Sequence, residues 1–130
     1  MDTLKFLEWA KNRALPLELN ASEENCDELE GIVKSIGSAR VVGLGESQHY
    51  VREFNRFRVR LFKHLVNRKG FRVFVLECGL VEAKRAHDFV LGEDVPLDEV
   101  FINVNNNFGV LKEIQELLVW MRDYNRTSWD

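Results

Sequence analysis

Two short apolar runs constrain this chain more than any other feature. Val41-Val42-Gly43-Leu44 and Val73-Phe74-Val75-Leu76 are each preceded by an arginine and lead to a glutamate, Glu46 after Gly45 in the first and Glu77 directly in the second. Between them lies an 18-residue stretch, 52–69, with apolar residues at helical spacing and Gly70 as its stop. A nearly continuous apolar run of four or five residues reads as a strand buried on both faces. Strand, helix, strand, helix is the order of a right-handed crossover in a parallel sheet. The expected fold is therefore α/β: strands over 40–44 and 72–76, with helices over 4–14, 22–36, 52–69, 80–91 and 108–125. Residues 92–107 read as a polar connection, and 124–128 as a turn leading to a further strand. Two strands make a thin parallel or mixed sheet, so the chain reads as the front part of something larger.

A length of 130 residues suits one domain, taken as residues 1–130. Net charge is -3, which supplies no basic field for nucleic acid or an anionic membrane. No stretch approaches the roughly 18 apolar residues of a membrane span. The N-terminal residues lack the pattern of a secretory signal. Cys26 and Cys78 read as two reduced thiols, and the expected compartment is the cytoplasm.

The chemistry-bearing residues collect where the apolar runs end. In a parallel pair both strand ends lie on one edge of the sheet, where ligands bind in open α/β folds. Glu46 and Glu77 would then share a crevice with His49. A carboxylate beside an imidazole sets its tautomer and raises its basicity, which suits general acid–base work on water. The competing reading makes Glu46 a helix cap or an arginine partner, and His49 a surface histidine. Arg58 bears on this choice. On the wheel of residues 52–69, Phe54, Phe57, Leu61, Phe62 and Leu65 form one apolar arc, and Arg58 falls in its middle. Arg52, Arg56, Arg60 and Lys63 lie opposite, as solvated charges. A buried guanidinium needs a carboxylate, and Glu46 and Glu77 are the candidates. His64 and His87 read as core or boundary residues. Phe6, Trp9, Trp120 and Tyr124, at helical spacing, read as core. A metal held by Glu46, His49 and Glu77 is the third reading, but Arg58 in the same crevice would oppose a cation.

At these residues the sequence resembles the erythromycin esterase family. The matching stretches are Val42-Gly-Leu-Gly-Glu-Ser-Gln-His-Tyr-Val-Arg-Glu-Phe54, Arg58-Val-Arg-Leu-Phe-Lys-His-Leu-Val66, Gly70-Phe71, Phe74-Val-Leu-Glu-Cys-Gly-Leu-Val-Glu82 and Trp120-Met-Arg-Asp-Tyr-Asn125. The resemblance runs from about residue 4 to 125. It implies a hydrolase that opens a macrolide lactone or another ester by metal-free attack of water, with no cofactor. His49 would be the general base, Glu46 its acidic partner, Arg58 the helix arginine and Glu77 the second glutamate. The resemblance also implies a longer protein with a second active-site histidine downstream, which neither His64 nor His87 matches. The expected partner is a small-molecule ester or lactone, not nucleic acid or membrane, with a homodimer open. The alternative is a truncated, non-catalytic α/β module that binds a ligand or partner.

Overall fold

The computed structural model describes residues 2–18, 21, 27–102 and 111–128. Six helices occur in the order α1 (Thr3–Arg13), α2 (Asp27–Ile36), α3 (Arg52–Lys69), α4 (Leu80–Val90), α5 (Leu97–Ile102) and α6 (Lys112–Thr127). Among the described residues there is no strand and no sheet, which overturns the expected α/β fold. The runs 40–44 and 72–76 are present as irregular backbone, and no backbone hydrogen bond joins them among the described residues. Nor are they buried on both faces. Val41, Val73 and Val75 are 85%, 73% and 86% exposed. The second run is one-sided: Phe74 and Leu76 pack onto the helical core while Val73 and Val75 point away. A strand exists only through its ladder partner. Here the two runs line the same cleft without pairing with each other.

Helix α3 is the hub, packing on α2 and α6, while α6 also packs on α4 and α4 on α5. One cluster joins Val33 of α2 to Leu61 and Leu65 of α3. A second joins Val59, Phe62 and Val66 of α3 to Leu117 of α6. The third holds Ala86, Phe89 and Val90 of α4 against Val100 of α5. Because α3 is covered on two sides, its buried stripe is wider than the arc read from its wheel. Arg60, expected in solvent, is buried and bonds its Nη2 to Glu28 of α2 and its Nη1 to the Glu18 carbonyl at 3.0 Å. His64 is buried beside Glu30 at 3.3 Å.

Local signals explain the start of α1 and the end of α3. Asp2 caps α1 by accepting from the Leu4 amide at 3.1 Å. Gly70 ends α3 at φ 73°, a conformation that costs glycine little, and lets its amide reach the Leu65 carbonyl. The Trp120–Asn125 stretch ends α4 from outside. Arg122 donates to the carbonyls of Phe89, Gly92 and Glu93, and Asn125 to that of Val90. Phe89 and Val90 lie in the last turn of α4, whose carbonyls lack donors from a following helical turn, and Gly92 and Glu93 lie in the segment just after it.

Several other expectations need correction. Helix α5 occupies part of the expected polar connection, and α6 continues through the expected turn at 124–128 to Thr127. Phe6 and Trp9 stack on each other but stay exposed, because α1 buries no residue. His87 is exposed as well. Trp120 and Tyr124 do pack against the core. The expected starts of α2 at Ser22 and of the last helix at Phe108, and Cys26, lie outside the described residues. No helix is long and apolar enough to cross a membrane among the described residues.

Candidate active site

The loop between the first apolar run and α3 carries Glu46 and His49. They lie three residues apart, and the loop folds so that Glu46 Oε1 and His49 Nδ1 share a hydrogen bond. The chain then passes through Tyr50, whose φ of 63° puts a bulky residue in the left-handed region. Such a conformation costs free energy and persists only where the surroundings impose it. It turns the chain directly into α3, and the Tyr50 ring lies edge-on to His49 with centroids 6.0 Å apart.

Helix α3 supplies the third group. One and a half turns in, Arg58 donates from Nη2 to Glu46 Oε2 at 2.5 Å. Its Nη1 donates to Asn55 Oδ1 at 2.9 Å, and Asn55 Nδ2 donates to the Val51 carbonyl at 3.0 Å. Glu46 is thus held at both oxygens, by the imidazole and by the guanidinium. The side chains of Glu46 and Arg58 are 12% and 11% exposed, while that of His49 is 54% exposed. The pair behind is sheltered and the ring in front meets solvent. The hydrogen bond from His49 holds the Glu46 carboxyl below its usual range. Burial works against this, and the Arg58 hydrogen bond and charge reinforce it.

Glu46, His49 and Arg58 line a cleft of about 610 Å³ with Glu77. Its walls are the two apolar runs, and Phe62, Leu65 and Phe71 form much of the rest. The structure therefore brings all four predicted residues to one cavity. Three of them form a bonded set. Glu77 is exposed at the cavity wall, and no hydrogen bond or ion pair joins it to the other three among the described residues. Asn55 escaped the sequence reading. The signal was available: Val59 and Val66 extend the buried stripe beyond Phe62, and Asn55 falls inside the widened stripe three residues before Arg58.

Comparisons with known proteins place the chain in a family. A family model described as erythromycin esterase matches residues 66–129. Erythromycin esterase type II of Escherichia coli is 30% identical over 125 residues, 96% of this chain. The chain belongs to the erythromycin esterase family. Erythromycin esterase type I of Escherichia coli is 30% identical over 120 residues, 92% of the chain. The putative hydrolase YbfO of Bacillus subtilis strain 168 is 30% identical over 79 residues, 61% of the chain. The chain spans under a third of these erythromycin esterases, 29% of the type II and 28% of the type I protein, and 17% of YbfO. No solved structure matches it significantly. Within the erythromycin esterase family match, residues 66–129 take in Glu77 and the Arg122–Asn125 clamp on α4.

Proposed function

We propose that this chain carries the base-bearing part of a hydrolase site, in which His49 takes a proton from water for attack on an ester or macrolide lactone. The observation that carries the reading is the double hold on Glu46. With Nδ1–H directed at Glu46, His49 presents Nε2 as its basic nitrogen. As water attacks the carbonyl carbon, the proton moves to Nε2, and the positive ring that results faces the Glu46 carboxylate. Arg58 keeps that carboxylate ionised and fixes its orientation. The apolar walls of the cleft suit the hydrocarbon part of an ester or lactone. Glu77 stands at the same cleft, within reach of a bound substrate. Because both Glu46 oxygens are engaged, one by a guanidinium, the site favours water activation without a metal.

The erythromycin esterases that this chain resembles are named for a macrolide substrate, which makes a macrolide lactone the first compound to try. The purified chain is incubated with a macrolide and with p-nitrophenyl esters. The expected result is turnover that falls by about 10²- to 10⁴-fold in His49→Ala. Undiminished turnover in His49→Ala overturns the assignment.

A second reading, a non-catalytic module that works against another surface or a second copy, is favoured by the exposure of Val41, Val73 and Val75. It predicts self-association in sedimentation velocity and no turnover on any ester. A monomer that turns over substrate rules it out.

A further inference from the structure

We propose that Asn55 is a positioning residue for the His49–Glu46 pair, holding the Arg58 guanidinium so that its second nitrogen meets Glu46. The proposal rests on the reading of Glu46 and His49 as the working pair, and its geometry is independent of the substrate.

Asn55 is fully buried, at 0% exposure, and it is a polar residue in the first turn of the hub helix. A buried amide needs partners, or it costs stability. Asn55 has them on both sides. Its Nδ2 donates to the Val51 carbonyl at the start of α3, and its Oδ1 accepts from Arg58 Nη1 at 2.9 Å. The amide oxygen and nitrogen are therefore assigned by their neighbours: only the oxygen can accept from a guanidinium. Arg58 is a planar fork. With Nη1 fixed on Asn55, Nη2 is directed at Glu46 Oε2, which it meets at 2.5 Å. Glu46 Oε1 in turn meets His49 Nδ1. One line of hydrogen bonds thus runs from the backbone at Val51 through Asn55, Arg58 and Glu46 to the half-exposed imidazole. A long, flexible side chain such as arginine loses this definition when one of its two acceptors goes.

The test separates the two halves of the Asn55 amide. Serine in a helix donates its hydroxyl to the carbonyl four residues back. Asn55→Ser therefore keeps the tie to Val51 and removes the acceptor for Arg58. The Glu46 carboxyl is followed by 13C NMR titration of the whole chain, wild type and variant, with Arg58→Met as the limit. The groups facing Glu46 are Arg58 from α3 and His49 from its own loop, with Glu77 on the same cleft. The expected result is a folded Asn55→Ser chain whose Glu46 midpoint rises by about half a unit or more toward the ordinary glutamate value. A folded variant with the wild-type midpoint, however much its Tm falls, shows a structural role alone and overturns the proposal. If Asn55→Ser does not fold, the wild-type chain decides. Arg58, held at two different acceptors, should show separate, slowly exchanging Nη lines in 15N spectra, and one averaged line overturns the proposal. Where the wild type turns over an ester, kcat should fall about ten- to a hundredfold in Asn55→Ser with KM little changed. A wild type with no turnover defeats the hydrolase reading, and the titration still decides Asn55.

Discussion

Arg58 reaches Glu46 across twelve residues of sequence, donating from Nη2 to Oε2 at 2.5 Å, while its other terminal nitrogen is held by Asn55. The contact ties the loop before α3 to the body of that helix. Lysine carries the same charge but cannot satisfy two acceptors in this planar geometry. Arg58→Lys should therefore lose about 1–3 kcal/mol of stability, the scale of a charge-assisted hydrogen bond removed from a sheltered acceptor. Urea unfolding at pH 7 measures it. A loss equal to that of an exposed Lys-for-Arg exchange would count against the two-acceptor geometry.

Acid should unfold this chain through two glutamates. The His49 hydrogen bond lowers Glu46, and the Glu18 amide, with help from Arg60, lowers Glu28. Both carboxyls titrate below their unfolded values. The stability they contribute is present above the ordinary glutamate pKa of about 4.3, and it is lost as pH falls through the lowered folded values. Unfolding free energy should change little from these groups between about pH 7 and 5.5 and should fall below about pH 4.5. The double variant Glu28→Gln, Glu46→Gln should start lower at pH 7 and decline less steeply. Urea titrations at several pH values give the comparison, and an unchanged slope would show that other groups govern acid unfolding.

The pair between Arg60 and Glu28 links α3 to α2 from a buried position. Removing only the carboxylate leaves a buried cation. Glu28→Ala should cost about 3–5 kcal/mol, whereas Glu28→Leu combined with Arg60→Met should recover most of that loss. A double-mutant cycle by chemical denaturation checks this. Additive losses would mean that the pair is solvated enough to act as a surface ion pair.

The pattern of residues 52–69 carried much of the result. Apolar spacing, Gly70 and the run of arginines located α3 to the residue, and the misplaced charge of Arg58 pointed to a carboxylate partner. The Glu46–His49 contact was legible for a related reason, since three residues in a loop are close whatever the fold. Arg60 was misread because a wheel shows only the contrast between faces. It does not show that a second helix, α2, covers the charged side and supplies Glu28. Asn55 was missed because the stripe was drawn through Phe54, Phe57, Leu61, Phe62 and Leu65 alone, without Val59 and Val66, which widen it to include Asn55; only its bond to Arg58 depends on a rotamer that no spacing rule specifies.

By itself the sequence determined the bounds of α3, which residues carry charge near the Glu46–His49 loop, and which family the chain belongs to. These follow from local propensity, from caps and from identity at many positions. Only the tertiary structure decided that the runs 40–44 and 72–76 line one cleft without pairing, that Arg58 chooses Glu46 rather than Glu77, and that Asn55 stands behind it. Apolar content says that a run seeks burial. Whether it finds a ladder partner, a core or an open cleft depends on what the rest of the chain places beside it.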